Sequence, residues 1–150
     1  TLTPNQDWNG SETLTFTATD NYDESVSDEV IVTINPVNDA PTIELPDSFT
    51  FAEDGQLIEN LEDYSNDVDL DVLTLTVSGN TEINTEIDGL NVTFTATENW
   101  NGAETLTFTV NDNQGRAIAS DNVEVIVNAV NDAPVITLPE TLSFDEDGNL

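Results

Sequence analysis

Residues 100–110 read WNGAETLTFTV, and the alternation in this stretch decides the fold class. Apolar side chains stand at Leu106, Phe108 and Val110, and threonine stands at positions 105, 107 and 109. A period of two places the apolar side chains on one face of a β-strand and the threonines on the other. The stretch therefore predicts a strand over 104–111 that buries one face and turns the threonines toward water.

The same stretch occurs twice, which reveals an internal repeat. Residues 8–17 read WNGSETLTFT and residues 100–109 read WNGAETLTFT, an offset of 92 residues. VNDAP at 37–41 returns at 130–134, and FAEDG at 51–55 returns as FDEDG at 144–148, each at an offset of 93 residues. Three markers in one order and at one spacing indicate a repeating unit of about 93 residues.

The repeat divides the chain into three parts. Residues 1–38 correspond to the C-terminal half of one repeat, 39–131 to a complete repeat, and 132–150 to the start of a third. Half a repeat lacks the strands that would cover its apolar face. We therefore expect the sequence to be a window on a longer tandem array.

Short alternating runs fill the complete repeat, without helical periodicity. Turn residues separate the runs, and Asp88-Gly89 is a strong hairpin signal. Trp8 and Trp100 each precede a strand and are expected to plug the core. The predicted strands are 42–45 and 48–52 (one strand split at Pro46), 57–61, 72–78, 82–87, 90–97, 104–111 and 117–127. The predicted core comprises Val92, Phe94, Leu106, Phe108, Val123, Val125 and Val127. This pattern predicts an all-β protein built of antiparallel β-sandwich repeats.

The composition excludes several classes of protein. Thirty-one acidic residues stand against a single basic residue, Arg116, for a formal net charge of −30. Nucleic acid is excluded as a partner because phosphate binding requires Lys and Arg, and an anionic membrane surface is disfavoured for the same reason. There is no cysteine, so disulfides do not hold the fold. No run approaches the roughly 20 apolar residues that span a bilayer, so no membrane insertion is expected in this segment.

The positions of the acids distinguish two interpretations of this charge. Carboxylates on strand faces, namely Glu44, Glu104 and Glu124, are expected to be solvated. The others fall in loops expected at the ends of the repeat: Asp39 and Asp132 in the linkers, Asp67, Asp69 and Asp71 before a strand, Asp20 and Asp112 after a strand, and Glu53-Asp54 and Glu146-Asp147 in turns. Crowded carboxylates repel by roughly 4 kcal/mol per pair at 4 Å and an effective dielectric of about 20. Calcium, which takes six to eight oxygen ligands, would offset that repulsion, whereas zinc is disfavoured without Cys or His.

The stretch LTFTVNDNQGRAIASDNVEVIVNAVNDAP at 106–134 resembles the end of a cadherin repeat, and more closely the bacterial cadherin-like repeats of giant adhesins with NDAP linkers. The resemblance implies an Ig-like or cadherin-like sandwich whose junctions bind Ca²⁺. It further implies these ligands: the linker residues Asp39 and Asp132, the carbonyls of Asn38 and Asn131, the D-x-D pair Asp69 and Asp71, the strand-end Asp112, Glu53 near the repeat start, and Asp7 and Glu98 in the mid-repeat motif.

Two departures from the cadherin pattern reduce the expected number of ions. The first linker aspartate is replaced by Pro36 in one linker and by Ala129 in the other, and the mid-repeat motif is degenerate. One or two ions per junction are then expected. The resemblance implies an extracellular or cell-surface location and neighbouring repeats of the same chain as partners. Other copies in a filament, or a cell-surface target, remain open as further partners.

Three functions compete at this level. The first is a calcium-stiffened structural and adhesive repeat without enzymatic activity. The second is a carbohydrate-binding β-sandwich module, which would need exposed aromatic side chains on one face, and Tyr22, Tyr64 and the two tryptophans are not expected to line up in this way. The third is a glycoside hydrolase with paired carboxylates. It ranks last because a repeated unit offers no insertion that forms a cleft.

Overall fold

The computed structural model describes residues 1–115 and 118–146. Strands dominate these ranges, and the one helical element assigned within them is a single 3₁₀ turn at Leu61–Tyr64. The strands are β1 Gly10–Thr19, β2 Ser25–Ile34, β3 Thr42–Ile43, β4 Ser48–Ala52, β5 Leu57–Asn60, β6 Ser65–Asn66, β7 Thr74–Ser78, β8 Ile83–Asp88, β9 Asn91–Ala96, β10 Gly102–Asn111 and β11 Ile118–Asn128. The predicted strand start at Ala117 lies outside the described residues.

Two sheets form the sandwich of the complete repeat. One has the order β4-β11-β10-β7 and the other has the order β5-β9-β8, with β3 and β6 paired beside them. The β8–β9 hairpin pairs Asp88 with Asn91, so Gly89 and Leu90 form a two-residue loop. Gly89 has a φ of 63°, which glycine adopts without steric cost. The all-β sandwich predicted from the sequence is confirmed.

The split first strand contributes to two sheets, the β3–β6 pair and the four-stranded sheet. Pro46 lies between β3, which pairs with β6, and β4, which pairs with β11. The β4–β11 pair is parallel, whereas the other ladders are antiparallel. The predicted antiparallel sandwich therefore contains one parallel ladder, at this edge. Proline cannot donate a ladder hydrogen bond, so the chain leaves one sheet there and joins the other.

Aromatic rings from the two sheets meet in the core. Phe94 of β9 lies 5.7 Å from Phe49 of β4 and 6.0 Å from Phe108 of β10, measured between ring centroids. Trp100 is half-buried and packs against the same core. The predicted core is confirmed, since all seven of its residues are at most 3% exposed: Val92, Phe94, Leu106, Phe108, Val123, Val125 and Val127.

The N-terminal hairpin copies β10–β11 without the rest of the sandwich. Gly10 pairs with Ile34 as Gly102 pairs with Val127. Phe16 is nevertheless 57% exposed, whereas its counterpart Phe108 is fully buried. The described residues leave the apolar face of this hairpin uncovered, with an open groove of about 240 Å³ beside Trp8, Leu14 and Val32. Residues 132–146 form no regular strand.

Candidate metal centre at the repeat junction

A tight turn before β7 gathers three carboxylates. Ligand oxygens of Asp67, Asp69 and Asp71 all lie within 4.8 Å of one another. Leu70 bends the turn with a φ of 62°, a conformation that is costly for a side chain bearing a Cβ. Two ligands of one calcium ion, each 2.3–2.6 Å from it, lie at most about 5 Å apart. The spacing of the three carboxylates therefore suits one oxygen-coordinated cation.

Asp67 organises this turn from inside the fold. Its Oδ1 accepts hydrogen bonds from the backbone amides of Asp69, at 2.9 Å, and Asp71, at 3.2 Å. The residue is only 6% exposed, and among the described residues its Oδ2 has no hydrogen-bond partner. Buried carboxylate oxygens are almost always paired. The sequence interpretation assigned metal binding to Asp69 and Asp71 and left out Asp67, which stands in the same D-x-D-x-D run.

The incoming linker is bonded directly to this turn. The backbone amide of Asp39 donates to Asp69 Oδ2 at 2.7 Å. One residue earlier, Asn38 Nδ2 donates to Asp112 Oδ2 at 2.8 Å and to the carbonyl of Asp39 at 3.1 Å. The bonds to Asp69 and Asp112 join residues 30 and 74 positions apart in the chain. The side chain of Asn38 thus connects the linker to Asp112.

Asp112 is a buried carboxylate that accepts hydrogen bonds from the linker and from Gln114. It is 1% exposed, and its Oδ1 accepts the amide of Gln114 at 2.9 Å. The hydrogen bond from Asn38 and that from the Gln114 amide hold the pKa of Asp112 below its ordinary value of 3.8, against the opposing effect of burial. Gln114 also donates from Nε2 to Asp71 Oδ1 at 3.1 Å, which connects Asp112 to the acidic turn through Gln114.

The preceding hairpin supplies a third side of the junction. Asp7, Asp39 and Asp69 line one cavity of about 330 Å³, here called the junction cavity, together with residues of both linker ends. Asp7 lies in a turn with a φ of 59°, as does its counterpart Asn99, with a φ of 57°. Three carboxylates from the hairpin, the linker and the complete repeat thus face one space.

The outgoing linker is held by a different carboxylate. Glu53 is 7% exposed; its Oε1 accepts the amide of Val130 at 2.6 Å, and its Oε2 accepts Asn101 Nδ2 at 3.4 Å. The structure therefore places Glu53 at the second junction. Both oxygens already have protein partners, which makes Glu53 an anchor of the linker backbone.

Three further residues are predicted ligands of the second junction. Glu98, Asn131 and Asp132 are all exposed. Asn131 Nδ2 donates to the carbonyl of Asp132 at 3.1 Å, which reproduces the local bond of Asn38 to Asp39 in the first linker. In the Glu146-Asp147 turn of the third repeat, Asp147 lies outside the described residues. The first junction is therefore the more complete of the two within the described ranges.

Glu104 is not the solvated strand-face acid that the sequence predicted. Its two carboxylate oxygens accept the backbone amides of Thr81 at 2.9 Å, Glu82 at 2.9 Å and Ile83 at 3.2 Å. Burial acts to raise the pKa of Glu104, but the three amides outweigh it and hold the pKa below the ordinary value of 4.5. The expectation failed because these donors lie more than 20 residues away in the sequence. Glu44 and Glu124 are exposed, as predicted.

The tyrosine and tryptophan side chains of the described residues stand in different surroundings. Tyr22 is 81% exposed in the turn of the N-terminal hairpin. Tyr64 instead packs against the core and meets Phe49 at 6.2 Å, edge to face. Trp100 is half-buried in the complete repeat. These three rings lie on different elements of the described chain, and Trp8, 37% exposed, lies apart from them in the groove of the N-terminal hairpin.

The fold agrees with a family comparison. The bacterial Ig domain family matches residues 38–128, which is more than half of the chain. The chain belongs to the bacterial Ig domain family. Such domains typically serve as structural repeats of extracellular or surface proteins. The described residues contain no helix that is both long and apolar enough to cross a membrane.

Solved structures with a similar fold come from fucoidan-degrading enzymes. The endo-fucoidan hydrolase MfFcnA4 of glycoside hydrolase family 107 matches with 20% identity and a TM-score of 0.50, over 81% of this chain and 19% of that one. MfFcnA9 of the same family matches with 20% identity and a TM-score of 0.41, over 83% of this chain and 23% of that one. The chain thus spans about a fifth of these enzymes, and the likeness concerns the fold alone. A comparison with curated proteins gave no match.

Proposed function

We propose that this chain is a calcium-stiffened structural repeat of an extracellular adhesive protein, of the cadherin-like type with NDAP linkers, and that it is not an enzyme. The observation that carries the proposal is the 2.7 Å hydrogen bond from the linker amide of Asp39 to Asp69, a member of the acidic turn. A cation held by that turn acts directly on the linker. Neighbouring repeats of the same chain are the immediate partners, and the adhesive target lies beyond them.

The residues present fit calcium. The donors are carboxylate, amide and carbonyl oxygens, with neither Cys nor His in the chain. At 4.8 Å two carboxylates repel by roughly 3–4 kcal/mol at an effective dielectric of about 20. Asp7, Asp39 and Asp69 would hold the ion in the junction cavity, and Asn38 and Asp112 would orient the linker. Bound calcium would supply the positive charge that allows these carboxylates to approach.

Stiffening follows from where the ligands originate. Asp7 belongs to the preceding hairpin, Asp39 to the linker and Asp69 to the following repeat. An ion shared by all three removes bending freedom, which Pro41 already restricts just after Asp39. Extracellular calcium modules bind at about 10⁻⁴–10⁻³ M. The repeats would therefore be pliable inside a cell and stiff outside it.

Spin labels on the two sides of the junction test this proposal. The chain has no cysteine, so Thr15→Cys in β1 and Thr50→Cys in β4, both exposed and outward-facing, accept labels selectively. We expect calcium to narrow the distribution of label-to-label distances measured by pulsed electron resonance. Asp39→Asn should weaken calcium binding by about tenfold or more and restore the broad distribution.

The matched control is Glu124→Gln, which removes one charge from an exposed site on β11. It should leave both the calcium affinity and the distance distribution unchanged. If Asp39→Asn and Glu124→Gln behave alike, the acids form only a solvated surface and the proposal fails. Circular dichroism should show both variants folded, because neither changes a core residue.

A further inference from the structure

One edge of the N-terminal hairpin has no partner strand. Within the described residues β2 pairs with β1 alone, whereas its counterpart β11 pairs with β10 on one side and with β4 on the other. Ile34 of β2 corresponds to Val127 of β11, because each lies opposite the glycine of its own WNG motif, Gly10 or Gly102. An unpaired edge presents backbone donors and acceptors to which another strand can bond. The edge of β2 therefore lacks what β4 supplies in the complete repeat.

The chain contains a second copy of the β4 sequence. PTIELPDSFTFAE at 41–53 returns as PVITLPETLSFDE at 134–146, so residues 141–146, here called the repeat-start segment, correspond to β4 and the residue after it. Leu142 and Phe144 stand where β4 has two buried phenylalanines, yet they are 64% and 60% exposed. No regular strand is assigned to this segment. An apolar alternation with nothing packed on it thus matches an edge with nothing paired to it.

The ladder between β4 and β11 defines the register that the repeat-start segment would take on β2. Phe51 of β4 lies opposite Val127 of β11, and the two strands are parallel. Transferred by the repeat offset of 93 residues, the same ladder places Phe144 opposite Ile34. Ile34 and Trp8 line the open groove of the hairpin, so the Phe144 ring would cover apolar surface that the described residues leave exposed. A register shifted by one residue would turn both apolar side chains of the segment to the other face.

A polar contact accompanies this ladder in the complete repeat. Glu53, directly after β4, accepts hydrogen bonds from the Val130 amide and the Asn101 side chain. Glu146 stands at the same place in the repeat-start segment and is exposed. The two donors have exposed counterparts in the hairpin and its linker: Asn9 and Val37. Hydrogen bonds from these groups to the Glu146 carboxylate would fix the end of the segment, as Glu53 does in the complete repeat.

The loop before β1 already has the conformation of its counterpart in the complete repeat. Gly10 and Gly102 have φ values of 142° and 156°. In both copies the indole ring lies over the glycine, because a Cβ on Gly10 would be 3.2 Å from the Trp8 ring and one on Gly102 would be 3.0 Å from the Trp100 ring. The hairpin therefore needs little rearrangement to accept a strand, and the cost of ordering falls on the short segment that docks.

We propose that the free edge of β2 binds the repeat-start segment of a second copy of this chain as a parallel strand. The segment of the same chain does not reach this edge. Residues 129–140 connect it to β11 and span at most about 45 Å when fully extended. β10 alone spans roughly 30 Å between the outgoing and the incoming linker. Ile31, opposite which Thr141 would lie, stands a further eight residues before Asp39, so the path back is longer than the connection.

This exchange of strands joins copies head to tail. The edge and the segment are different surfaces, so the contact is heterologous and extends into a filament unless it closes into a ring. In a longer array the start of the hairpin's own repeat would compete for the same edge, so chains join by exchanging equivalent strands. One short strand buries less surface than a standard interface, and each copy has a net charge of −30, so the contact is weak and strengthens with salt. It requires no calcium and therefore goes beyond the proposed function without depending on it.

Sedimentation velocity of the full chain over a range of concentrations, in EDTA and high salt, measures this association apart from any effect of calcium. We expect Phe144→Ser to weaken it by at least about tenfold, because the ring loses its apolar site. The matched control is Val135→Ser, which removes a side chain that is 91% exposed and corresponds to the exposed Thr42. It should leave the association unchanged. A chain that stays monomeric at every concentration, or equal effects of the two substitutions, overturns the proposal.

Cross-linking between two differently substituted chains identifies the occupant and its register. The β4–β11 ladder pairs Thr50 with Ile126, so a chain with Thr33→Cys should cross-link to a second chain with Ser143→Cys through a short thiol reagent. Ser27→Cys, on the same face of β2 but roughly 20 Å from position 33, should not. Equal yields at positions 33 and 27 would show unspecific contact and overturn the proposal. It is also overturned if one chain carrying both Thr33→Cys and Ser143→Cys cross-links internally at low concentration, because its own segment then occupies the edge.

Discussion

Replacing Glu104 by glutamine removes a carboxylate that organises the connection between the two sheets. Thr81 and Ile83 donate to Oε2, and Glu82 donates to Oε1. These amides lie where the chain passes from β7, in one sheet, to β8, in the other. A glutamine oxygen can keep the Thr81 and Ile83 bonds, but its amide nitrogen then faces the Glu82 N–H, donor against donor.

The expected loss follows from these contacts. Hydrogen bonds to a charged group contribute about 1.5–3 kcal/mol each. Glu104 is half-buried, so solvent screening favours the lower end of that range for the one lost bond and the two that become neutral. We expect Glu104→Gln to lower the free energy of unfolding by about 2 kcal/mol. For a domain of this size that corresponds to a decrease in Tm of roughly 8–16 °C.

The effect depends on pH with a defined sign. The pKa of Glu104 in the folded chain lies below the ordinary value of 4.5 that applies when the chain is unfolded. The stabilisation is therefore complete above pH 4.5 and is lost as the pH falls through the folded pKa. The stability difference between the unmodified chain and Glu104→Gln should shrink over that acidic range.

Urea and thermal unfolding of the full chain, in calcium-free buffer at fixed ionic strength, measure these differences. The matched control is Glu12→Gln, because Glu12 occupies the same place in the SETLTF copy and is exposed. It should change the stability by less than about 0.5 kcal/mol. Equal losses for the two variants, or no loss for Glu104→Gln, would refute the role assigned to the three amides.

Three further predictions concern the core, a turn and the ion. Phe108→Ala should lower the free energy of unfolding in urea by about 3–5 kcal/mol, and Phe16→Ala, at its exposed counterpart, by less than about 1 kcal/mol. Similar losses for the two variants would contradict the finding that Phe108 is buried and Phe16 is not. Gly79→Ala should cost more than about 2 kcal/mol, because its Cβ would lie 2.8 Å from the Thr105 carbonyl oxygen, whereas Gly89→Ala, with open space around it, should cost about 1–2 kcal/mol. Calcium at a hundredfold excess over Kd should stabilise the chain by about 2.7 kcal/mol per ion; a Tm indifferent to calcium would contradict specific sites.

Local pattern predicted the strands and the core well. The alternation around Leu106 and Phe108 fixes which side chains share a face, because the period of a strand is a property of consecutive residues. Pro46 likewise predicted the break in the first strand, because the lack of a backbone N–H is a property of the residue itself. The partner of β4 could not be predicted locally, since its parallel pairing with β11 joins segments about 75 residues apart.

The candidate site divides in the same way. The acidic run at 67–71 and the linker pair Asn38-Asp39 could be recognised from the sequence, because the residues of each stand side by side in it. The hydrogen bond between the linker and the acidic run could not be recognised from the sequence. Nor did the sequence distinguish Asp67, which is buried and has one oxygen without a partner, from the exposed Asp69. Burial depends on what packs over a residue from elsewhere in the chain.

By itself, the sequence determined a repeat of about 93 residues, an all-β sandwich, its inward-facing residues and a strongly acidic surface. Only the tertiary structure decided what each carboxylate does. Glu104 binds three amides, Glu53 holds the outgoing linker, and Asp69 of the acidic turn accepts the amide of the incoming linker. The physical reason is that a carboxylate has the same charge wherever it stands, whereas its partners are donors brought to it by chain segments that lie 20 to 80 positions away.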